Sequence, residues 1–204
     1  VGKVLNRRPS DLLSYEEFLA TDMENHYVEW VGGRIVEKAT VDRDHQEILG
    51  FLRMLLGIFA DEKKLGTVRS CTFQMKIARD FPGRSPDLMF ISKRHKKRLT
   101  RMFVDGPADL AVEVSMPESR VINRGEKFFE YEKGGVREYW LIDPQRKQAE
   151  FYLLDKRGIY QLMSLDGDGI FHSAVLKGVW IKVAWLWQSP LPSEISIMRE
   201  WGLI

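Results

Sequence analysis

The 204-residue sequence predicts an α/β protein whose sheet is at least partly parallel. Two features carry that expectation. A wide apolar stripe at helical spacing runs from about Asp42 to Lys63, through Ile48, Leu49, Leu52, Leu55, Leu56 and Phe59. Beyond it, short apolar runs at Leu88–Ile91, Leu110–Val114 and Glu138–Asp143 read as buried strands, with a helical stretch between the last two. Strands interrupted by a helix favour parallel pairing.

The elements follow in order. Residues 1–13 are basic, then mixed, and read as an arm; residues 14–204 read as one domain with its core at about 42–143. Ser14 to Glu17 fits a capping box opening a short helix to about Met23. YVEWV and RIVEK flank Gly32-Gly33, a tight hairpin signal, because such turns need positive φ. The long helix is expected to be capped by Asp42 or Asp44 and carries His45 in its first turn. Gly66 ends it. Val68–Ile77 is expected to form one strand with Phe73, Met75 and Ile77 on one face, and Phe81-Pro82-Gly83 a turn. After the strand from Asp87 comes the basic run KRHKKRLTR, residues 93–101, expected as a solvated face or loop. Gly106-Pro107 leads into Leu110–Val114. Asn123 opens a helix to about Lys133 with Phe128 and Tyr131 facing inward, stopped by Gly134-Gly135. EYWLID, AEFYLLD and IYQLMSL are further strands, the last two a hairpin about Lys156-Arg157-Gly158. The tail alternates at VWIKVAWLW; Trp180, Trp185 and Trp187 are expected in the core or at a subunit interface.

Composition excludes several classes. The hydrophobic share of 44% and charged share of 29% are those of a globular protein. Net charge is +2, so no global basic field advertises nucleic acid. The single Cys71 excludes an internal disulfide and reads as core filling. No run approaches a membrane span and no secretory signal opens the chain, so a cytoplasmic location without membrane contact is expected.

The chemistry lies in residues 85–127. Asp87 opens one buried strand and Glu113 sits inside the next. A buried carboxylate is costly unless it is paired or bound to a cation. Two such acids on neighbouring strands can share one divalent metal, and Lys127 follows on the next helix. Asp, Glu and Lys converging on one spot is equipment for metal-assisted phosphodiester hydrolysis. Oxygen ligands with no paired His or Cys favour Mg²⁺ or Mn²⁺. Lys93, Arg94, Lys96, Lys97 and Arg98 are the candidate phosphate-backbone footprint. A metal-independent carboxylate-pair hydrolase, such as a glycosidase, is a competing chemistry; the trailing lysine and the absence of an aromatic sugar platform around the acids disfavour it.

These residues carry a resemblance. YVEWVGGRIVE, His45-Gln46, Pro86-Asp87, VEVSMPES and above all GEKFFEYEKGGVREYWLIDP resemble the Uma-two family, within the PD-(D/E)XK nuclease superfamily, from about Tyr15 to Trp187. The resemblance implies a restriction-endonuclease-like αβββαβ core with a mixed central sheet, preceded by the hairpin and extended by the C-terminal strands. It implies a nuclease with Asp87 and Glu113 as metal ligands and Lys127 as the catalytic lysine. In the superfamily that lysine stands two residues after the glutamate, where this chain has Ser115; in the family it stands on the following helix, as Lys127 does. Glu29 and His45 match family positions and are supporting candidates. The chain departs from the family pattern at Ser115-Met116-Pro117-Glu118 and at Asn123, where an Asp is usual. Those departures support an alternative, a catalytically weak or inactive nuclease-fold module that binds nucleic acid or a protein. The expected partner is nucleic acid, DNA first, and a homodimer is expected by analogy with the superfamily.

Overall fold

The structure is a computed structural model that describes residues 3–5, 12–21, 27–38, 40–70 and 72–204. It is organised as two six-stranded sheets, one flanked by a long helix. The expectation for Cys71 lies outside the described residues, as does the end of the first helix beyond Thr21.

Of the N-terminal arm, β1 (Lys3–Val4) pairs antiparallel with β3. Helix α1 (Tyr15–Ala20) starts on the predicted capping box, with Ser14 and Glu17 exchanging hydrogen bonds. The hairpin β2 (Val28–Val31) and β3 (Arg34–Glu37) turns at Gly32 and Gly33, both at positive φ. Helix α2 (Arg43–Glu62) is capped by Asp42, whose side chain accepts from the His45 amide.

The predicted strand Val68–Ile77 is two strands in two sheets, β4 (Gly66–Ser70) and β5 (Gln74–Lys76). The break has a local cause. Thr72 stands at φ +78°, a backbone that a β-branched residue adopts only under constraint, and its amide donates to Ser85 Oγ. Next come β6 (Gly83–Arg84) and β7 (Leu88–Ser92). The basic run forms a 3₁₀ helix over Lys93–Arg98. Strands β8 (Phe103–Asp105) and β9 (Leu110–Val114) follow. The predicted helix begins earlier, at Arg120, and is not uniform: α3 (Arg120–Ile122) runs through a π-helical turn, Asn123–Lys127, into α4 (Phe128–Gly134). Gly135 closes it in the left-handed conformation. Then β10 (Glu138–Asp143), β11 (Gln148–Leu154) and β12 (Tyr160–Leu162) extend the main sheet. A small ribbon, β13 (Ile170–His172) with β14 (Trp180–Lys182), a 3₁₀ turn over Val183–Trp187 and α5 (Glu194–Glu200) complete the chain.

The main sheet runs β12-β11-β10-β9-β7-β4, mixed as expected, with β9 and β10 parallel and the other pairs antiparallel. The second sheet runs β1-β3-β2-β6-β5-β8. Alternation along the strands builds two cores. Leu88, Phe90, Leu110, Val112 and Val114 face the stripe of α2. Met89, Ile91, Ala111, Tyr139 and Leu141 face the other way, onto Met75 and Val104 of the second sheet and Tyr131 of α4. Leu52 and Leu55 are fully buried; truncating either to Ala would cost about 2–5 kcal/mol. Trp185 is buried, Trp180 and Trp187 pack against the α2 core, and Trp201 meets both Phe59 and Trp180 edge-on.

Candidate active site

Register brings the two acids together. Leu88 pairs with Val112 across the antiparallel β7 and β9, so Asp87 falls beside Glu113, and directly opposed residues share a face. That face is the one turned to the second sheet. The Val114 amide donates to Asp87 Oδ2 at 2.9 Å, locking the two strand ends. Both acids are buried, at 4% and 1% exposure.

Each acid is ringed by donors from other elements. Asp87 Oδ2 also meets His45 Nε2, from the first turn of α2, at 3.2 Å. Asp87 Oδ1 accepts from Lys38 Nζ, just past β3, at 2.8 Å. Glu113 Oε1 accepts from Lys127 Nζ and from Tyr131 Oη, each at 2.9 Å. Lys127 also stands 2.9 Å from Glu29 Oε1. The π turn buries both Asn123 and Lys127; its extra residue per turn re-aims side chains, which is why such turns recur at functional sites.

A third acid, Glu29, backs this pair. Glu29 Oε2 accepts from Arg84 Nη1 at 3.0 Å, and Glu29 Oε1 from the Ser85 amide at 3.1 Å. Arg84 donates twice more to Glu130, at 2.7 Å each, and once to Glu126 at 3.0 Å. Glu29, Lys38, His45, Arg84, Asp87, Glu113, Asn123 and Lys127 line one cavity of about 170 Å³, together with apolar residues such as Val41, Met116 and Ile122.

The electrostatics are uneven. Burial pushes Asp87 upward, but Lys38 and His45 outweigh it and hold the carboxyl far below its ordinary range. Burial likewise opposes Glu29, yet Lys127, Arg84 and Lys38 bring it down to about 2. Glu113 moves the other way: burial, reinforced by Asp87, prevails over Lys127 and raises it. Lys38 is raised despite its burial by Asp87, Glu113 and Glu29. Glu113 is therefore the acid of the cluster least compensated by cations.

Of the residues singled out in the sequence, Asp87, Glu113, Lys127, Glu29 and His45 meet here. Asn123 lines the cavity, but its amide turns to Ser115 Oγ at 3.1 Å and Ser119 Oγ at 3.4 Å instead of to the acids. The basic run lies elsewhere. It follows the far end of β7, about 20 Å from Asp87 at the rise of an extended strand. Lys93, Arg94, Lys96 and Lys97 are exposed there, whereas Arg98 donates to Pro107 O at 2.6 Å. Lys38, Arg84 and Tyr131 were not foreseen as site residues. A signal existed for Lys38, which continues the alternation of Val36, a neighbour in the cavity wall. Another existed for Arg84, a charged residue two positions before Pro86-Asp87.

Among the described residues no set of three or more His, Cys, Asp or Glu forms a metal cage, and no helix is long and apolar enough to cross a membrane. A family model, Uma2, described as "Putative restriction endonuclease", matches residues 15–184. The chain belongs to the Uma2 family. That span takes in every residue of the cluster. The Uma2 chain also superposes on the crystal structure of "a putative nuclease belonging to DUF820" from Anabaena variabilis, with a TM-score of 0.70 and 14% identity over 86% of this chain and 97% of that one. At that identity the likeness establishes the fold alone, here one with a mixed six-stranded sheet. No curated protein matches the sequence.

The family's description, "Putative restriction endonuclease", raises the question of a divalent metal, and the donors fit one. Asp87 and Glu113 offer hard carboxylate oxygens on one face. The Lys38 ammonium already rests on Asp87 Oδ1, so a positive charge is stable at that point. A site with two carboxylates and no cage suits Mg²⁺ or Mn²⁺, which keep much of their water.

Proposed function

We propose that this Uma2 protein is a divalent-metal-dependent nuclease that hydrolyses phosphodiester bonds, with DNA the first substrate to test. The observation that carries the proposal is the meeting of Asp87, Glu113 and Lys127 in one buried cavity, on neighbouring strand ends and the π turn. Asp87 and Glu113 would hold Mg²⁺ or Mn²⁺, which when bound lowers the pKa of water and offsets charge on the phosphate.

The remaining roles belong to the chain itself. Lys127, pinned between Glu29 and Glu113, presents a fixed ammonium that orients the attacking water or offsets negative charge growing on the scissile phosphate. Glu29, held by Arg84 and the Ser85 amide, keeps that ammonium in place. His45 and the Val114 amide fix the Asp87 carboxylate, and Tyr131 fixes Glu113. Lys93, Arg94, Lys96 and Lys97 would contact backbone phosphates about 20 Å away, roughly six base pairs along a duplex. A homodimer addressing two strands is part of the same reading, though the tryptophan-rich tail packs on its own core.

The test uses purified protein with Mg²⁺ or Mn²⁺ on single- and double-stranded DNA and RNA. Cleavage that Asp87→Ala abolishes supports the proposal. Cleavage of no substrate, or equal cleavage by Asp87→Ala, refutes it.

A second reading has an observation of its own. Both Asp87 oxygens already accept internal donors, and Asn123 is tied to Ser115 and Ser119. A module that binds nucleic acid or a protein without turnover fits those bonds. Calorimetric titration with Mn²⁺ separates the two: binding lost in Glu113→Gln favours the nuclease, and no binding favours the module.

A further inference from the structure

Building on the metal-site reading above, we propose that Lys38 is a displaceable counter-cation, seated on Asp87 until a divalent cation takes its place and sends the ammonium outward to solvent. Lys38 Nζ touches two hard oxygens, Asp87 Oδ1 at 2.8 Å and Ser85 O at 2.9 Å. Those are the donor types a Mg²⁺ or Mn²⁺ ion takes. The other Asp87 oxygen is engaged by His45 and the Val114 amide. Oδ1 is thus the atom through which Asp87 meets an added cation, and Lys38 holds it.

An ammonium and a divalent ion on one carboxylate oxygen repel each other at a few ångströms in a buried setting, where screening is weak. One of them must leave. Lys38 is the lysine free to go. Its side chain is 19% exposed, against 4% for Lys127, which two carboxylates pin. Its backbone is anchored, the amide donating to Tyr27 O at 2.7 Å, so the side chain can swing without moving β3. A compact, strongly hydrated charge on a flexible stem suits that exchange better than a forked guanidinium would. Lys38 thereby keeps a buried acid pair tolerable before metal arrives and sets a threshold concentration for loading.

The test compares Mn²⁺ titration calorimetry of the parent and Lys38→Met, with circular dichroism confirming the fold. Removal of the competitor is expected to tighten Mn²⁺ binding by about tenfold or more. A second measurement needs no variant: amine acylation of the parent, read by mass spectrometry, should modify Lys38 faster with saturating Mn²⁺ than without. Equal or weaker Mn²⁺ affinity in folded Lys38→Met, or Lys38 acylation unchanged by Mn²⁺ that demonstrably binds, overturns the displacement and leaves the metal site standing. Absence of Mn²⁺ binding in parent and variant alike overturns the metal site itself.

Discussion

Arg84→Met removes a guanidinium that is 2% exposed and donates to Glu29, Glu126 and Glu130. The cost can be worked from what each acid retains. Glu126 is 62% exposed and loses almost nothing. Glu29 keeps Lys127 at 2.9 Å and the Ser85 amide at 3.1 Å. Glu130, 15% exposed, loses both arms of its bidentate partner. Breaking one side of a buried pair costs about 3–5 kcal/mol, and the partners left to Glu29 put the expected loss near 3 kcal/mol. At about 2–4 °C per kcal/mol for a chain of this size, melting falls by roughly 6–12 °C. Urea titration followed by tryptophan fluorescence measures the loss. Adding Glu130→Gln removes the orphaned charge, so the double variant should be at least about 1 kcal/mol more stable than the sum of the singles predicts. A loss below about 1 kcal/mol, or strict additivity, would refute the view that Arg84 holds the acids together.

Three further outcomes are expected. Glu29 is lowered from its ordinary 4.5 to about 2, so the folded state releases its proton more readily than the unfolded chain; the resulting stability, about 3 kcal/mol, is complete above the unfolded value and drains as pH falls towards 2. Urea midpoints across that acid range should fall less steeply in Glu29→Gln. Gly66→Ala would set a Cβ 2.2 Å from Ile91 O and 2.7 Å from Ser92 Cα, forcing β4 off β7; a loss of about 1–3 kcal/mol is expected, and an unchanged melting temperature would contradict the packing. Replacing Lys93, Lys96 and Lys97 with Ala should lower the salt dependence of duplex binding by about three phosphate contacts and leave cleavage of a short oligonucleotide unchanged. An unaltered salt slope would remove the run from the binding surface.

The sequence was most legible where one periodicity ruled. The α2 stripe, the Gly32-Gly33 hairpin and the runs holding Asp87 and Glu113 each report a face through spacing alone, and each stands where spacing puts it. Val68–Ile77 misled because its alternation continues through Thr72, whose left-handed backbone depends on Ser85 across the chain. The π turn was invisible because Asn123–Lys127 reads as ordinary helix. Lys38 and Arg84 were not singled out: the alternation after Val36 and the place before Pro86-Asp87 mark the two positions, but charge pairing across 49 and 46 residues leaves the partners unmarked.

The acids and their partners come from both sheets, from the start of α2 and from the turn before α4. No single element carries the set, which is spread from Glu29 to Tyr131. On the proposed nuclease reading, a nascent or half-melted chain would therefore be harmless to nucleic acid, because cutting power would arise only when the two layers dock. Loosening of that seam should abolish the proposed cleavage before secondary structure is lost.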